Sequence, residues 1–293
     1  MSDTLISDVS DTAFWIANHR ARETGRPDAL FRDPWAAQLA GDHGRQIADT
    51  MPMSVLTGWS VVIRTCIIDD YIRSAVAAGA DTVLNLGAGL DTRPYRMAEL
   101  GASLNWIEAD YAHVIDYKES KLAGVLPRCQ LERVKIDLAD AQARREFLAG
   151  IDRRAGRMLV LTEGVVPYLS VDEAASLADD LRGLGHVAGW VVDYFSPEVI
   201  KFRMNQRGMR QKMRNAPFKF EPKDWFAFFR ERGWRLKEMR YLMDEGERLK
   251  RTLPLPGFLK FMMILRGFFA SEEQRSGYRK FAGYALLEPA IAA

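Results

Sequence analysis

Residues 81–96, DTVLNLGAGLDTRPYR, decide the fold of this chain. The run 82–86 is apolar and branched, which is typical of a buried strand. Gly87 and Gly89 follow at once and predict a tight turn, because a residue without Cβ lets the backbone come close to a ligand. Such turns occur at the carboxyl end of a strand in parallel sheets that bind nucleotides.

The turn resembles a GxGxxG motif whose third glycine is replaced by Thr92. That glycine normally brings a helix against a pyrophosphate, so its absence favours a ligand without phosphate. S-adenosylmethionine is such a ligand, since it carries an amino acid where a dinucleotide carries pyrophosphate. The alternative is an ordinary strand-to-helix turn with no ligand.

Strands and helices are predicted to alternate from residue 82 onward. Strands are expected at 82–87, 104–109, 132–137, 157–163 and 187–195, with helices at 93–100, 112–123, 140–149 and 171–183. This alternation predicts a parallel sheet covered on both faces. A helix from Pro222 to Gly233 and two closing strands, Trp234–Leu242 and Phe281–Glu288, complete a doubly wound, mostly parallel, Rossmann-like α/β sheet of seven strands.

The residues ahead of this sheet, 1–78, are predicted to form an N-terminal helical cap on a core that spans 79–293. In the first helix, Phe14, Ala17 and Ala21 share one face and leave His19, Arg20 and Arg22 off it. The longest helix is expected at 58–78. Its Arg64 is either a solvated cation or a bidentate clamp for the carboxylate of the ligand's amino acid.

Two segments interrupt the alternation and are predicted lid insertions, near 197–219 and near 246–270. In the first, no acidic residue lies among the cations Lys201, Arg203, Arg207, Arg210, Lys212, Arg214 and Lys219. This run is either a solvated helix face or a cover that attracts an acidic substrate. The second contains the apolar run 253–269, read either as a membrane-surface helix or as a cap over an apolar pocket.

Composition narrows the class of protein. The net charge of +2 over 293 residues does not indicate a nucleic-acid partner. The first residues carry aspartates where a signal peptide needs cations, and no apolar run is long and unbroken enough to span a membrane. The two cysteines and four histidines show no ligand spacing. We therefore expect a cytoplasmic protein with reduced thiols and no metal.

The predicted strands end in acidic residues. Asp110 lies 21 residues after Gly89, close to the spacing at which an acidic residue binds ribose hydroxyls. Asp137 ends the third strand and could accept from an adenine amino group, and Glu163 ends the fourth. Each could instead cap a helix. Together they favour an adenosyl ligand.

These residues also carry a family resemblance, spread over about residues 13–170. The matching pieces are RARETGRPDALFRDPWA (20–36), IRT (63–65), LGAGLDTRPYR (86–96), EADY (108–111), KIDL (135–138) and LTEGVVPYL (161–169). The chain resembles the leucine carboxyl methyltransferase family of class I S-adenosylmethionine-dependent methyltransferases. More closely, it is similar to the bacterial tetracenomycin-type polyketide carboxyl O-methyltransferases.

The resemblance implies a role for each matching position. Arg64 would hold the cofactor carboxylate, and the turn of Gly87 and Gly89 would touch its amino acid. Asp110 would bind the ribose. The adenine would be framed by Asp137 and Leu138. Glu163 would hold the cofactor amino group or order the site near the sulfonium, and a basic position in the first helix would fall on Arg20 or Arg22.

The predicted reaction is methyl transfer to an oxygen of a small acidic or aromatic metabolite. A carboxylate titrates near pH ~4 and needs no base, whereas a phenol titrates near pH ~10 and needs one. Tyr168, His113 and Asp69 are the candidate bases, and none is assigned. We therefore expect a methyl ester, with a phenolic ether as the alternative.

Two other classes of protein compete with this reading. A nicotinamide oxidoreductase is disfavoured by Thr92 and by the lack of a recognisable Ser/Tyr/Lys set. A non-catalytic protein could use 201–219 to bind nucleic acid or an acidic carrier, and a carrier-bound substrate is a related alternative. The acidic strand ends argue against a pure binder. The oligomeric state is left open.

Overall fold

A sheet of seven strands forms the centre of the molecule. The computed structural model describes residues 5–205, 207–254, 277 and 279–290, with the backbone alone at 203, 204 and 207. The strands are β1 Thr82–Leu86, β2 Asn105–Asp110, β3 Gln130–Lys135, β4 Met158–Thr162, β5 Val187–Phe195, β6 Trp234–Tyr241 and β7 Ala282–Pro289. Their order is β3-β2-β1-β4-β5-β7-β6, and only the pairings of β7 are antiparallel. The predicted fold class is confirmed.

Helices cover both faces of this sheet. They are α1 Asp11–Thr24, α2 Ala36–Thr50, α3 Ser54–Ala77, α4 Arg93–Arg96, α5 Ala112–Lys121, α6 Ala141–Asp152, α7 Val171–Arg182, α8 Pro197–Asn205, α9 Arg207–Lys212, α10 Trp225–Arg230 and α11 Leu242–Arg248. On one face, Ile63 and Ile67 of α3 pack in a buried cluster with Trp106. On the other, α7 and α10 pack against Trp190. Burial of such large apolar side chains is the main stabilising term of the sheet.

The register of the strands brings their carboxyl ends to one edge. Leu86 pairs with Ala109, so the glycine turn after β1 lies beside the end of β2. The Gly87 amide donates to the Ala109 carbonyl at 2.8 Å. The end of β4 is the neighbour on the other side. In doubly wound sheets this edge is where ligands bind.

Most predicted elements are present, with several ends shifted by a few residues; the helix predicted at 58–78, for example, is α3 and begins at Ser54. Three of the differences have a clear local cause. β3 begins at Gln130 rather than 132, because the Gln130 amide already bonds the Leu104 carbonyl at 2.9 Å. The predicted helix 93–100 is instead the short α4 followed by a 3-10 turn, Ala98–Leu100, because the backbone at Met97 is extended. The helix expected from Pro222 begins at Trp225, where Asp224 accepts from the Ala227 amide as an N-cap.

The first helix buries more than its predicted apolar face. His19 and Arg20, which lie off that face, are buried as well. The reason is tertiary, since α1 packs against both α2 and α3. Because α3 in turn packs on the sheet, the predicted cap and core are in direct contact, and the boundary at residue 78 stays a prediction.

The second predicted lid lies largely outside the described residues, since only its start, 246–254, is described. Across the described parts of the chain, no helix has the length and apolar character needed to cross a membrane.

Candidate functional site

A cavity of about 980 Å³ opens at the carboxyl edge of the sheet. Its floor is formed by the ends of β1, β2, β4 and β5, and its walls by α1, α3 and the segment 209–219. Small-molecule sites have about 300–1,000 Å³, so this cavity is large enough for a cofactor and a second molecule.

The glycine turn forms part of the cavity floor. Gly87 has φ +67°, and a Cβ built on it would lie 2.4 Å from Val165 Cγ2. Gly89 has φ +48°. Both backbone conformations favour glycine, and at Gly87 the space also requires it. The turn is therefore held in a shape that exposes its backbone to the cavity.

Asp110 fixes that turn from the end of β2. Its Oδ2 accepts from the Gly89 amide at 2.6 Å and its Oδ1 from the Tyr111 amide at 2.7 Å. Burial raises the pKa of Asp110 above its usual value, against the effect of these hydrogen bonds. Asp110 lines the cavity, so it can orient the turn and still meet a ligand through its remaining lone pairs.

The part of the cavity predicted to hold adenine is lined by Ile136, Leu138 and Ala139 but not by Asp137, which lies between them in the chain. Its exposed carboxylate accepts from the Ala139 amide at 2.9 Å, whereas Leu138 lies in the cavity wall. Tyr111 also lines the cavity, although the sequence alone assigned it no role. An aromatic ring and a leucine suit a flat base. The adenine contacts of Asp137 and Leu138 stay predictions.

Arg64 and Glu163 meet at the opposite end. Arg64 Nε lies 2.8 Å from Glu163 Oε1, while Glu163 Oε2 accepts from Arg93 Nη1 at 2.7 Å. Burial alone would raise the pKa of Glu163, but the guanidinium groups of Arg93 and Arg64 outweigh it and hold that pKa below its usual value. Glu163 is thus an ionised carboxylate shared by two arginines.

The guanidinium fork of Arg64 remains open. Within the described chain, neither of its terminal nitrogens donates a hydrogen bond to a protein group, although the side chain lines the cavity. A planar cation with free parallel donors matches a carboxylate. The geometry therefore fits the predicted clamp on the amino acid of the cofactor.

Arg93 belongs to a buried ion network that the sequence analysis missed. Its Nε donates to Asp69 at 2.7 Å and its Nη1 to Asp91 at 2.9 Å. Arg96 binds Asp69 through both terminal nitrogens at 2.7 Å. Asp69 is therefore a structural partner of two arginines. No local sequence pattern indicates these ion pairs, because Asp69 lies on α3 and the arginines lie on α4.

Asp193 is a second missed residue, located on β5 opposite Tyr284 of β7. It is 2% exposed and lines the cavity. Its Oδ2 accepts from the Gly164 amide at 2.9 Å, whereas its Oδ1 has no hydrogen-bond partner among the described residues. Burial raises its pKa to about 6, opposed by Arg64. An aspartate within an otherwise apolar strand was the available signal.

The two candidate arginines of α1 lie in different surroundings. Arg20 is buried at the cavity, where its Nε donates to Asp33 at 2.9 Å and its Nη2 to the Leu90 carbonyl at 2.5 Å. Thr92 donates to the same Asp33 oxygen at 2.6 Å. Arg22 instead forms a surface ion pair with Asp49 and is not part of the cavity wall. Only Arg20 is therefore positioned for the predicted contact.

The candidate bases are also separated. Tyr168 lines the cavity and packs edge-to-face on Phe218 at 5.2 Å. His113 lies outside the lining, where its Nε2 is 2.9 Å from Ser10 Oγ. Of the two, Tyr168 alone can reach a ligand in the cavity.

The basic segment predicted as either a solvated face or a cover forms one cavity wall over 209–219. Its Asn215 side chain donates to the Ile6 carbonyl at 2.9 Å, and the Lys219 amide donates to the Pro167 carbonyl at 2.8 Å. Met209 and Ala216 are buried in a cluster with Trp15. The segment is thus attached to the walls around it, and its opening as a lid stays a prediction.

The cavity as a whole fits S-adenosylmethionine. The glycine turn leaves a cradle that a side chain would fill, the Arg64 fork is open, and Asp193 has an unpaired buried oxygen. These three features suit a ligand with an amino acid at one end. Over the described residues, no group of three His, Cys, Asp or Glu side chains is arranged to hold a metal.

Comparison with known proteins agrees with this geometry. The sequence profile described as leucine carboxyl methyltransferase matches residues 13–182. A protein from Mycobacteroides abscessus, named as an inferred S-adenosyl-L-methionine-dependent methyltransferase, is 30% identical over 73% of this chain and 75% of its own. A relative of the same description from Frankia alni is 34% identical over 61% and 65% of the two chains.

Solved structures support the fold. An inferred methyltransferase from Thermobifida fusca aligns with a TM-score of 0.54, covering 99% of this chain and 97% of its own at 14% identity. A protein from Streptomyces avermitilis described as a DUF574 family member aligns with a TM-score of 0.55, covering 96% and 97% at 13% identity.

The matches favour methyl transfer over the nicotinamide and non-catalytic alternatives. The cofactor is S-adenosylmethionine, as the strand-end residues predicted. This chain belongs to the leucine carboxyl methyltransferase family of S-adenosylmethionine-dependent methyltransferases.

Proposed function

We propose that the protein methylates a carboxylate oxygen of a small acidic, polyketide-like metabolite and releases a methyl ester. The observation that carries this proposal is the composition of the cavity wall beyond the cofactor contacts. That wall combines large apolar groups with cations, which suits an anionic acceptor that has an apolar body.

The apolar part of the wall comes from several elements. Trp15 and Ile16 belong to α1, Phe195 ends β5, and Phe218 lies in the segment 209–219. A smaller cavity of about 230 Å³ shares Phe195 and Phe218 with the main one and adds Trp225 and Phe226. Aromatic walls of this kind bind flat apolar molecules well.

The charged part of the wall is basic. Arg210 and Lys219 line the cavity, and neither forms an ion pair with any residue in the described part of the chain. Arg93 and Arg96 also carry positive charge, but both are committed to buried carboxylates. The cations left for an acceptor are therefore on the 209–219 side.

The reaction needs little from the protein besides alignment. S-adenosylmethionine supplies a methyl group activated by its positive sulfur, which is displaced in line. A carboxylate acceptor is ionised well above its pKa of ~4, so no protein base is required. The cavity walls orient the acceptor and exclude water, and alignment of this kind can supply roughly 7–11 kcal/mol.

Methyl-tritiated S-adenosylmethionine and mild alkali test the proposal. Labelled product formed from acidic aromatic acceptors should release volatile methanol, because esters hydrolyse and aryl ethers do not. Label retained after alkali would contradict the ester assignment.

Tyr168 supports a second candidate, methylation of a phenolic hydroxyl. It is the one predicted base that lines the cavity. A phenol with a pKa of ~10 would need such a partner. In that case the rate should rise with pH as the acceptor ionises, and the label should resist alkali.

A further inference from the structure

We propose that Asp193 holds the amino group of the methionine end of S-adenosylmethionine. The inference concerns the cofactor and not the acceptor, so it goes beyond the proposed function and can fail or succeed independently of it.

The position of the amino group follows from Arg64. Its open fork is suited to the cofactor carboxylate. The carboxylate and amino groups of an amino acid are attached to the same carbon. The amino group must therefore lie within a few ångströms of the Arg64 side chain, and a buried ammonium group requires an acceptor there.

The carboxylates that act most strongly on Arg64 are Glu163 and Asp193. Glu163 has one oxygen 2.8 Å from Arg64 and the other 2.7 Å from Arg93. Asp193 forms no ion pair in the described chain, and its Oδ1 has no hydrogen bond of normal geometry there, although the nearby Tyr284 hydroxyl partly offsets the rise that burial causes in the pKa of the Asp193 carboxyl. Both Glu163 oxygens already have a guanidinium partner, whereas Asp193 Oδ1 has none, so the amino group is assigned to Asp193 rather than to Glu163, where the family resemblance placed it.

The surroundings of Asp193 also favour a cation. It is 2% exposed, and a buried carboxylate oxygen without a hydrogen-bond partner is costly. Gly164 donates to its other oxygen. An ammonium group at Oδ1 would satisfy this oxygen and offset the burial of its charge, as the raised pKa of about 6 indicates.

Calorimetry with two ligands tests the assignment. The probes are S-adenosylhomocysteine and its analogue in which hydrogen replaces the amino group. The wild type should prefer the amino ligand by about 10- to 100-fold, as expected for hydrogen bonds to a charged group. Asp193→Asn should lose most of this preference by weakening the amino ligand alone.

Glu163→Gln is the matched control, because it makes the same carboxylate-to-amide change beside Arg64. It should keep the amino preference even if both ligands bind more weakly. The reverse pattern, with the preference lost in Glu163→Gln and kept in Asp193→Asn, would overturn the proposal. So would an Asp193→Asn variant that keeps the preference but loses turnover, since the carboxylate would then act on the acceptor.

A second test uses the wild type alone and does not depend on a variant that folds. Asp193 faces Arg64 of α3, Glu163 after β4 and Tyr284 of β7, with Arg93 of α4 behind them. Burial lowers the pKa of Arg64, but its acidic neighbours, Glu163 foremost, outweigh burial and raise that pKa. Burial raises the pKa of Glu163, but Arg93 and Arg64 outweigh burial and lower that pKa. Burial raises the pKa of Tyr284. None of these three titrates between about pH 7 and about pH 5.

The amino preference should therefore shrink as pH falls through about 6, because Asp193 takes up a proton there. The ligand's own amino group stays charged over this range. Binding of the analogue without the amino group should change little. A preference that stays constant from about pH 7 to about pH 5 would contradict the assignment.

Discussion

The two ends of the cavity are built in opposite ways. At the proposed cofactor end, the charged side chains are buried and held by one another, as Arg64, Glu163 and Arg93 show. At the proposed acceptor end, Arg210 is exposed and lacks an ion-pair partner in the described chain. Fixed charges select one ligand, whereas unpaired surface cations can accept several. The contrast predicts that the first end of the cavity is more selective for its ligand than the second.

Removal of Arg64 should have the largest effect. Arg64→Met leaves Glu163 with one arginine and removes the proposed carboxylate clamp. Loss of one partner from a buried, hydrogen-bonded charge pair between protein and ligand costs about 2–5 kcal/mol of binding, so cofactor binding should fall by about 30-fold or more. Calorimetry with S-adenosylhomocysteine measures it. Arg22→Met is the control, since its pair with Asp49 is about half exposed, and equal losses in both variants would contradict the contrast.

Gly87→Ala should come next. The added Cβ would lie 2.4 Å from Val165 Cγ2 at a φ of +67°. Such strain costs on the order of 1–3 kcal/mol, and the turn should lose cofactor affinity as it shifts. Gly101→Ala is the control for backbone strain alone, because Gly101 has φ +75° but no atom lies within 4 Å of an added Cβ. The prediction fails if Gly101→Ala weakens cofactor binding as much as Gly87→Ala does.

Asp110→Ala should weaken S-adenosylhomocysteine by about 1.5–3 kcal/mol through the lost ribose contact. Part of this loss is indirect, since Asp110 also holds the Gly89 amide. Calorimetry with adenosine separates the two contributions, because adenosine has the ribose but not the amino acid that contacts the turn. An unchanged affinity for adenosine would mean that Asp110 only holds the turn.

Hydrogen exchange compares the glycine turn with the segment 209–219, and the expected change in protection is smaller at the segment. Binding of S-adenosylhomocysteine should protect the amides of 87–89 strongly and those of 209–219 more weakly, if that segment closes over the cofactor. Protection at 87–89 without any change at 209–219 would contradict its role as a mobile lid.

Arg210→Gln should have the smallest effect, confined to the acceptor. An exposed cation contributes about 0.2–1 kcal/mol, so KM for an anionic acceptor should rise only a few-fold and shrink further at high salt. Steady-state kinetics with an acceptor found by the labelling assay measures this. An equal loss of cofactor affinity would contradict this prediction, because it would show that Arg210 acts on the cofactor and not only on the acceptor.

The same contrast decides what the sequence could predict. The glycine turn, Asp110 and the seven strands were predictable, because each depends on a local pattern and on the rule that strand ends share an edge. Asp193 and Arg93 were missed, because their importance depends on partners from other elements. Likewise, Arg20 and Arg22 are two residues apart, and only the position of Asp33 distinguishes them.

The most direct test is a calorimetric titration of the wild type with S-adenosylmethionine, S-adenosylhomocysteine and NAD. We expect one site for each of the first two ligands and no binding of NAD, since the cavity offers an open arginine and a carboxylate oxygen without a hydrogen-bond partner for an amino acid. Binding of NAD without binding of S-adenosylmethionine would contradict it.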